Sequence, residues 1–567
     1  MRLLLVLFLA MAALAFGQYP TYPGCNDLKD SDFKETKLLS RAEDPSMDEP
    51  MKMDFYQDAQ GNVNIYWIER GGAIKYYDAA AKTMKPVGHL EVLYTTESGL
   101  QGIALDPDFK SNRRIFFYWA PVSPKVFRIS RFNLKADNTL DNASEKVILD
   151  IPDTRIGLNV HNGGALHFDK QGNLWVTVGE HDHTSHEPTY YHNTTDPETS
   201  GEDEAPDTYS LYGSLLKIHP EPDGSYTIPK GNFGEFWSAK FKSQGRNVLS
   251  AKYADPNLVR REIYVKGFRD AMTVQVDNKT GWAVVSDCGA QCHKIPACYY
   301  CPTHGKTEKT MLITEPSFQG WNYFIADNFP YAIDKADERN PLAPVNNSPF
   351  RKGVDTLPPA VPGTYMYGLP ETAKRWPAGN PWICSLGGFM YRYDADNPSR
   401  IKLPPHFEGR FFMKDQNQSF IRSIEVDAKG AFVKASTDLF SGILTKSNSL
   451  DMRQGPDGAL YLLNYAKYQY TKDETTGIFR IEYAGDCKPV ALAPSRILRG
   501  AVAYRDRRIS VSGNGRHWIE IDDLAGNRLY RRSGEGNAGY AVDLPQGVYL
   551  LRSNLETGAR KIAVERE

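Results

Sequence analysis

The sequence predicts an all-β chain: a β-propeller with long loop insertions, followed by a small C-terminal β-sandwich module. Five segments repeat one unit, a turn carrying Asp or Asn with Gly and then an alternating strand. They are DAQGNVNIYWIE from Asp58, DKQGNLWVTVGE from Asp169, DNKTGWAVVSD from Asp277, DAKGAFVKAS from Asp427 and GPDGALYLLNY from Gly455. Units of this kind spread over most of the chain, with few long helical patterns between them, favour a propeller over a sandwich. The composition agrees: 32 Tyr, 26 Phe and 9 Trp suit strand packing, and 46 Gly with 36 Pro suit tight turns. Aromatic rings also suit a sugar-facing surface, although strand packing accounts for most of them.

Taken in order, residues 1–17 (MRLLLVLFLAMAALAFG) place one Arg before an apolar core and end in small residues, which predicts a secretory signal peptide cleaved after Gly17. No later segment is apolar for long enough to span a bilayer, so the sequence predicts an exported protein, secreted, periplasmic or displayed on a bacterial surface. The propeller is expected over 45–487. Its units are irregularly spaced, so insertions are expected at His181–Pro206, Phe233–Asn257, Cys288–Thr310 and Tyr331–Pro381. A linker around Lys488–Pro494 leads to the module at 495–567, whose strands begin at Trp518, Gly547 and Lys561.

Charge excludes some functions. Lys and Arg number 67 against 69 Asp and Glu, a net charge of −2, so no global field favours nucleic acid or an anionic membrane. There are seven cysteines, Cys25, Cys288, Cys292, Cys298, Cys301, Cys384 and Cys487. Four crowd into Cys288–Cys301 with His293 and His304 interleaved or close by. In a cytosolic chain that spacing suggests zinc; in an exported one a disulfide-pinned loop is favoured.

The densest chemistry lies in NVHNGGALHFDKQGNLWVTVGE, from Asn159 to Glu180. His161 precedes the glycine pair Gly163–Gly164. A strand then sets Leu174, Val176 and Val178 on one face and Trp175 and Thr177 on the other, and ends at Glu180. An imidazole acts as a general base once a partner fixes its tautomer, and a carboxylate brought in by an antiparallel neighbour supplies that. A surface hairpin with an ordinary histidine is the plainer reading of this segment alone.

Five stretches in one order carry a resemblance: GLQGIALDPDF from Gly99, the Asn159–Glu180 segment, EIYVKGFRDAMTVQVDNKTGW from Glu262, GWNY from Gly320 and DMRQGPDGALYLLNY from Asp451. Residues from about 50 to 485 resemble the glucose/sorbosone dehydrogenase family, six-bladed propellers that include soluble sugar dehydrogenases using pyrroloquinoline quinone (PQQ). The resemblance implies that His161 takes the proton of a sugar hydroxyl and that Glu180, where the catalytic pattern has Asp, orients it. It implies that Arg269 lies against the quinone oxygens, with Asp270 in place of the family's Asn. Glu97 matches a polar position lining the sugar and quinone pocket. Ca²⁺ is expected as a Lewis acid near Asp287 and Gly289. The family holds the three PQQ carboxylates with a Lys and an Arg pair. Here the corresponding positions fall at Asn417 or Gln418 and near Asn448 and Leu450, with Lys446, Arg453 and Arg422 as nearby substitutes. The terminal module resembles sorting domains of the type IX secretion system, which implies a secretion-machinery partner; a carbohydrate-binding or fibronectin-like module gives nearly the same pattern.

Other constellations yield less. His181, His183, His186 and His192 suit either a polar rim loop or a transition metal, and Glu202, Asp203 and Glu204 suit a solvated loop or calcium. Asp106-Pro107-Asp108 reads as a turn. No phosphate-cradling glycine loop and no G-x-S-x-G elbow occurs in context. Two functions are therefore expected. One is a PQQ- and Ca²⁺-dependent dehydrogenase oxidising a sugar or oligosaccharide hydroxyl, and the other is a non-catalytic propeller binding carbohydrate or protein at the same rim.

Overall fold

In the computed structural model, the described residues are 25, 28–153, 160–180, 204–289, 307–330, 335–348, 350–368, 383–416, 420–441, 448–467, 471–485, 501–505, 508–512, 516–523, 528–553 and 560–564. The signal segment, the 181–192 histidines, Asn417, Gln418, Lys446, Cys292, Cys298, Cys301 and Cys487 lie outside them. The chain divides into two compact units, one running from Asp27 to Asp486 and one comprising Cys487–Glu567 with Tyr22–Asn26.

Among the described residues of the first unit, six antiparallel sheets account for most of the strands, and we number them as blades in chain order. Blade 1 is Pro50–Gln57, Val63–Glu69, Ala73–Asp78 and Thr83–His89, and blade 2 is Leu100–Leu105, Arg114–Trp119, Val126–Leu134 and Leu140–Pro152. Blade 3 is Gly163–Phe168, Leu174–Val178, Ser214–Pro220 and Ile263–Lys266, and blade 4 is Ala271–Val276, Ala283–Asp287, Thr307–Ile313 and Tyr365–Gly368. Blade 5 is Ser385–Met390, Phe411–Asp415, Ile421–Val426 and Phe432–Ala435. Blade 6 is Asn448–Gln454, Leu460–Ala466 and Gly477–Tyr483, closed by Phe33–Ser40 from the start of the chain. The propeller thus begins before residue 45, because the last sheet needs a fourth strand and the N-terminal segment supplies it.

The first strand of each blade packs against the first strands of the blades before and after it, and the sixth returns to the first, so these strands form the ring around the axis. All six run in the same sense. The residues just before them, Glu49, Ser98–Gly99, His161–Asn162, Asp270 and Cys384, therefore converge on one mouth. This placement makes the site.

The alternation at Leu174–Val178 predicts one buried face, yet every residue of that strand is buried. Blades stack face to face: Val176 and Val178 pack toward blade 2, while Trp175 packs toward blade 4 with Ala165, Val274 and Val285. A fully covered strand still alternates when its two faces meet differently sized neighbours. The insertion expected at Phe233–Asn257 folds as two helices, Phe233–Ser243 and Asn247–Ala254, with Phe233, Trp237, Phe241 and Tyr253 on their buried faces. That 3.6-residue spacing is legible only once the segment is read as amphipathic. Within Tyr331–Pro381, Tyr365–Gly368 is no insertion; it is the outer strand of blade 4.

The second unit contains two sheets among its described residues. One is Ala501–Arg505, Arg508–Ser512 and Ala538–Ala541; the other is Arg528–Glu535, Arg516–Asp522, Gly547–Ser553 and Arg560–Val564. Ile509 and Val511 of the first meet Ile519, Ile521 and Leu551 of the second in one core, as in a β-sandwich.

Candidate active site

His161 and Glu180 face each other because blade 3 starts with a hairpin. Gly163 pairs with Val178, so the residues before the first strand and after the second leave the sheet at the same end. A Cβ at Gly179 would collide with the His161 carbonyl, and only glycine lets the two segments approach this closely. His161 Nδ1 lies 2.9 Å from Glu180 Oε1, with both side chains buried. With Nδ1–H directed at the carboxylate, the imidazole lone pair is carried on Nε2.

Glu180 is fully buried and its charge is met from several sides. Trp321 donates its indole N–H to Oε2, Arg269 Nε stands 3.6 Å from Oε1, and the Glu180 amide donates to the Arg269 carbonyl at 2.8 Å. One methylene more than Asp lets a single carboxylate span the imidazole on one oxygen and the indole on the other. Trp321 lies in the GWNY stretch that marks the family resemblance, but nothing in the sequence shows that its indole reaches Glu180.

Glu97 enters from blade 2. Its Oε2 accepts the His161 backbone N–H at 2.8 Å and so holds His161 at φ +56°, a left-handed conformation unusual for a residue with a side chain. The four expected residues His161, Glu180, Arg269 and Glu97 thus come together, with Trp321 added.

Arg269 donates from Nη1 to the carbonyls of Cys288, at 3.2 Å, and Gly289, at 3.3 Å. Asp287 receives the backbone N–H groups of Arg269 and Asp270, at 3.3 and 2.7 Å. At the position expected for calcium, near Asp287 and Gly289, the described oxygens already accept hydrogen bonds. A guanidinium already occupies the Gly289 carbonyl, and the Asp287 oxygens are engaged by amides. Asp270 is buried and its Oδ1 has no hydrogen-bond partner. Burial, then the neighbouring Glu97 charge, push its pKa up to about 8, which favours the protonated form. Asp270 stands where the family has Asn, and a protonated Asp has nearly the shape of Asn.

The expected cationic grips are engaged elsewhere. Arg453 pairs with Asp451 at 2.9 Å and Asp54 at 3.5 Å, and Arg422 with Asp438 at 2.8 Å. Leu450 is buried in an apolar cluster, and both side-chain polar atoms of Asn448 are buried without partners. Two other buried lysines, Lys52 and Lys414, donate to the Leu450 carbonyl at 2.7 Å and to the Asp415 and Ser449 carbonyls at 2.7 and 3.2 Å. The described residues fit the reacting ring of a quinone, through Arg269 and Asp270, and do not fit a trianion.

Cys288 forms a disulfide with Cys384, outside the cysteine cluster, joining the end of blade 4's second strand to the start of blade 5. The zinc-like spacing at Cys288–Cys301 is thus broken at its first member.

Residues 47–293 match the family model for glucose / sorbosone dehydrogenase. Over that stretch the chain is similar to the glucose/sorbosone dehydrogenase family. Its ring of sheets is similar to solved structures of an oxidoreductase described as a glucose dehydrogenase from Thermus thermophilus (18% identity, TM-score 0.50, 79% of this chain and 99% of that one). It is also similar to a soluble aldose sugar dehydrogenase from Escherichia coli in its apo form (17% identity, TM-score 0.50, 80% of this chain and 99% of that one). At these identities the likeness is one of fold. Within the matched residues lie His161, Glu180, Glu97, Arg269 and Asp270, while Trp321 follows them.

Proposed function

We propose that this propeller is a sugar oxidoreductase in which His161 takes the proton from a substrate hydroxyl. The observation that carries the reading is the buried His161–Glu180 contact at the mouth of the ring. Glu180 fixes the imidazole tautomer and stabilises the imidazolium formed when Nε2 accepts the proton. Trp321 and Arg269 in turn hold Glu180 in place, so the base is oriented before substrate arrives. Family resemblance points to PQQ, which would supply a quinone as electron acceptor. Arg269 and Asp270 are the described residues suited to its ring.

The engaged states of Arg453, Arg422, Lys52 and Lys414 favour a second reading, a propeller that binds a saccharide at this mouth without oxidising it. Titration of the purified protein with PQQ and Ca²⁺, followed by dye reduction with a panel of aldoses and oligosaccharides, separates the two. We expect turnover that His161→Ala abolishes while quinone binding persists. Absence of quinone binding well above micromolar concentrations, with retained saccharide binding, selects the second reading. Export is part of the proposal, supported by the N-terminal apolar segment and by the disulfide.

A further inference from the structure

Three residues other than glycine that lead into consecutive inner strands adopt left-handed backbone conformations: Glu49 (φ +46°) before blade 1, Thr96 (φ +44°) before blade 2 and His161 (φ +56°) before blade 3. For Thr96 the conformation is costly because its branched Cβ crowds the backbone. Such conformations persist where the surroundings over-determine them, and here one side chain joins the first two. Arg70 pairs with Glu49 through Nε at 2.9 Å and Nη2 at 2.7 Å. Its Nη1 donates to the carbonyls of Thr96 at 2.6 Å and Ser98 at 3.3 Å. Its own carbonyl accepts the Leu100 amide at 2.9 Å, and a Cβ on Gly99 would strike that carbonyl. Tyr94 closes the arrangement: its hydroxyl donates to Glu49 at 2.6 Å, and the guanidinium lies 4.2 Å from its ring centre.

Glu97 lies between the two carbonyls that Arg70 holds, and it accepts the His161 amide. We propose that Arg70, anchored by Glu49, is a positioning residue for the site: it clamps the Thr96–Ser98 turn so that Glu97 holds His161 in its left-handed conformation. The planar guanidinium suits this, because its fork addresses the Glu49 carboxylate on one edge and two peptide carbonyls with the remaining nitrogen. An ammonium in its place satisfies Glu49 and leaves the turn loosely held. The inference deepens the proposed function, and its test does not depend on turnover.

Hydrogen exchange at the His161 amide in the full-length protein reads the clamp directly. Arg70→Lys and Glu97→Ala are each expected to speed exchange at that amide at least tenfold, with exchange in the Ser385–Met390 strand of blade 5 unchanged. A merely structural Arg70 would instead loosen both or neither. Where turnover is present, Arg70→Lys is expected to lower kcat about tenfold with KM within a factor of two. A folded Arg70→Lys protein whose His161 amide exchanges within twofold of wild type overturns the proposal, whether or not the wild type oxidises sugars. Should Arg70→Lys not fold, the double variant Glu49→Gln/Arg70→Met, which removes the buried pair together, takes its place in the same comparison under the same criterion.

Discussion

The Glu180 carboxylate joins His161, Trp321 and Arg269, and its length matters. Shortening it in Glu180→Asp withdraws the carboxylate by one methylene, so it keeps the imidazole or the indole but not both. We expect a roughly 10–100-fold loss in kcat/KM, in the range for weakened general-base support, with folding intact by circular dichroism. Unchanged kinetics would show that the imidazole does not depend on this carboxylate. The pairing of His161 with Glu180 was legible because both flank one hairpin and strand ends have predictable geometry. Glu49, Arg70 and Trp321 were not. Their roles depend on which blades become neighbours, and a period-two pattern holds no record of ring order. Asp270 differs for another reason: sequence gives its charge in water, whereas burial and then Glu97 raise its pKa.

At the scale of elements, the disulfide links blades 4 and 5 through Cys288, whose carbonyl also receives Arg269. Cys288→Ser/Cys384→Ser is expected to lower unfolding free energy by about 2–4 kcal/mol, as for closure of a long loop, measured by denaturant titration. No change would mean that the bridge restrains neither the unfolded nor the folded chain. The repeated turn-and-strand units located blades 1, 3, 4, 5 and 6 from the sequence, because an Asp or Asn turn followed by alternation is a local event. The helices of the third blade's insertion and the outer strand of blade 4 escaped, as their partners lie elsewhere in the chain: Phe241 packs with Tyr253, and Tyr365 pairs with Thr310.

For the whole molecule, several amines are buried within the blades. Lys266 is enclosed among the Ser210 carbonyl at 2.8 Å, the Tyr212 carbonyl and the Ser214 hydroxyl, and burial pushes its pKa down to about 7. Between pH 7 and about 10.5 the unfolded chain binds the proton that the folded one releases. The contribution of Lys266 to stability is therefore complete above the unfolded value and is lost as pH falls toward 7. Melting temperatures of wild type and Lys266→Met from about pH 7 to 10 check this, and wild type should gain on the variant as pH rises. A constant gap would place the proton on Lys266 throughout. The near-neutral net charge leaves such individual groups, rather than overall repulsion, to set the pH response.

The strand at Phe33–Ser40 has a consequence in time. It leaves the ribosome first among the propeller strands, yet it hydrogen-bonds to Gly477–Tyr483, made more than four hundred residues later. At roughly 5–20 residues per second of synthesis, that edge waits about 20 s or longer without its partner. A nascent chain in this state has five blades to build and an open seam, and it is open to strand addition by any neighbour. The last blade is thus a clasp that fastens only when the ring is otherwise complete, and the mouth that gathers His161, Glu180 and Arg269 becomes a closed circle at that moment.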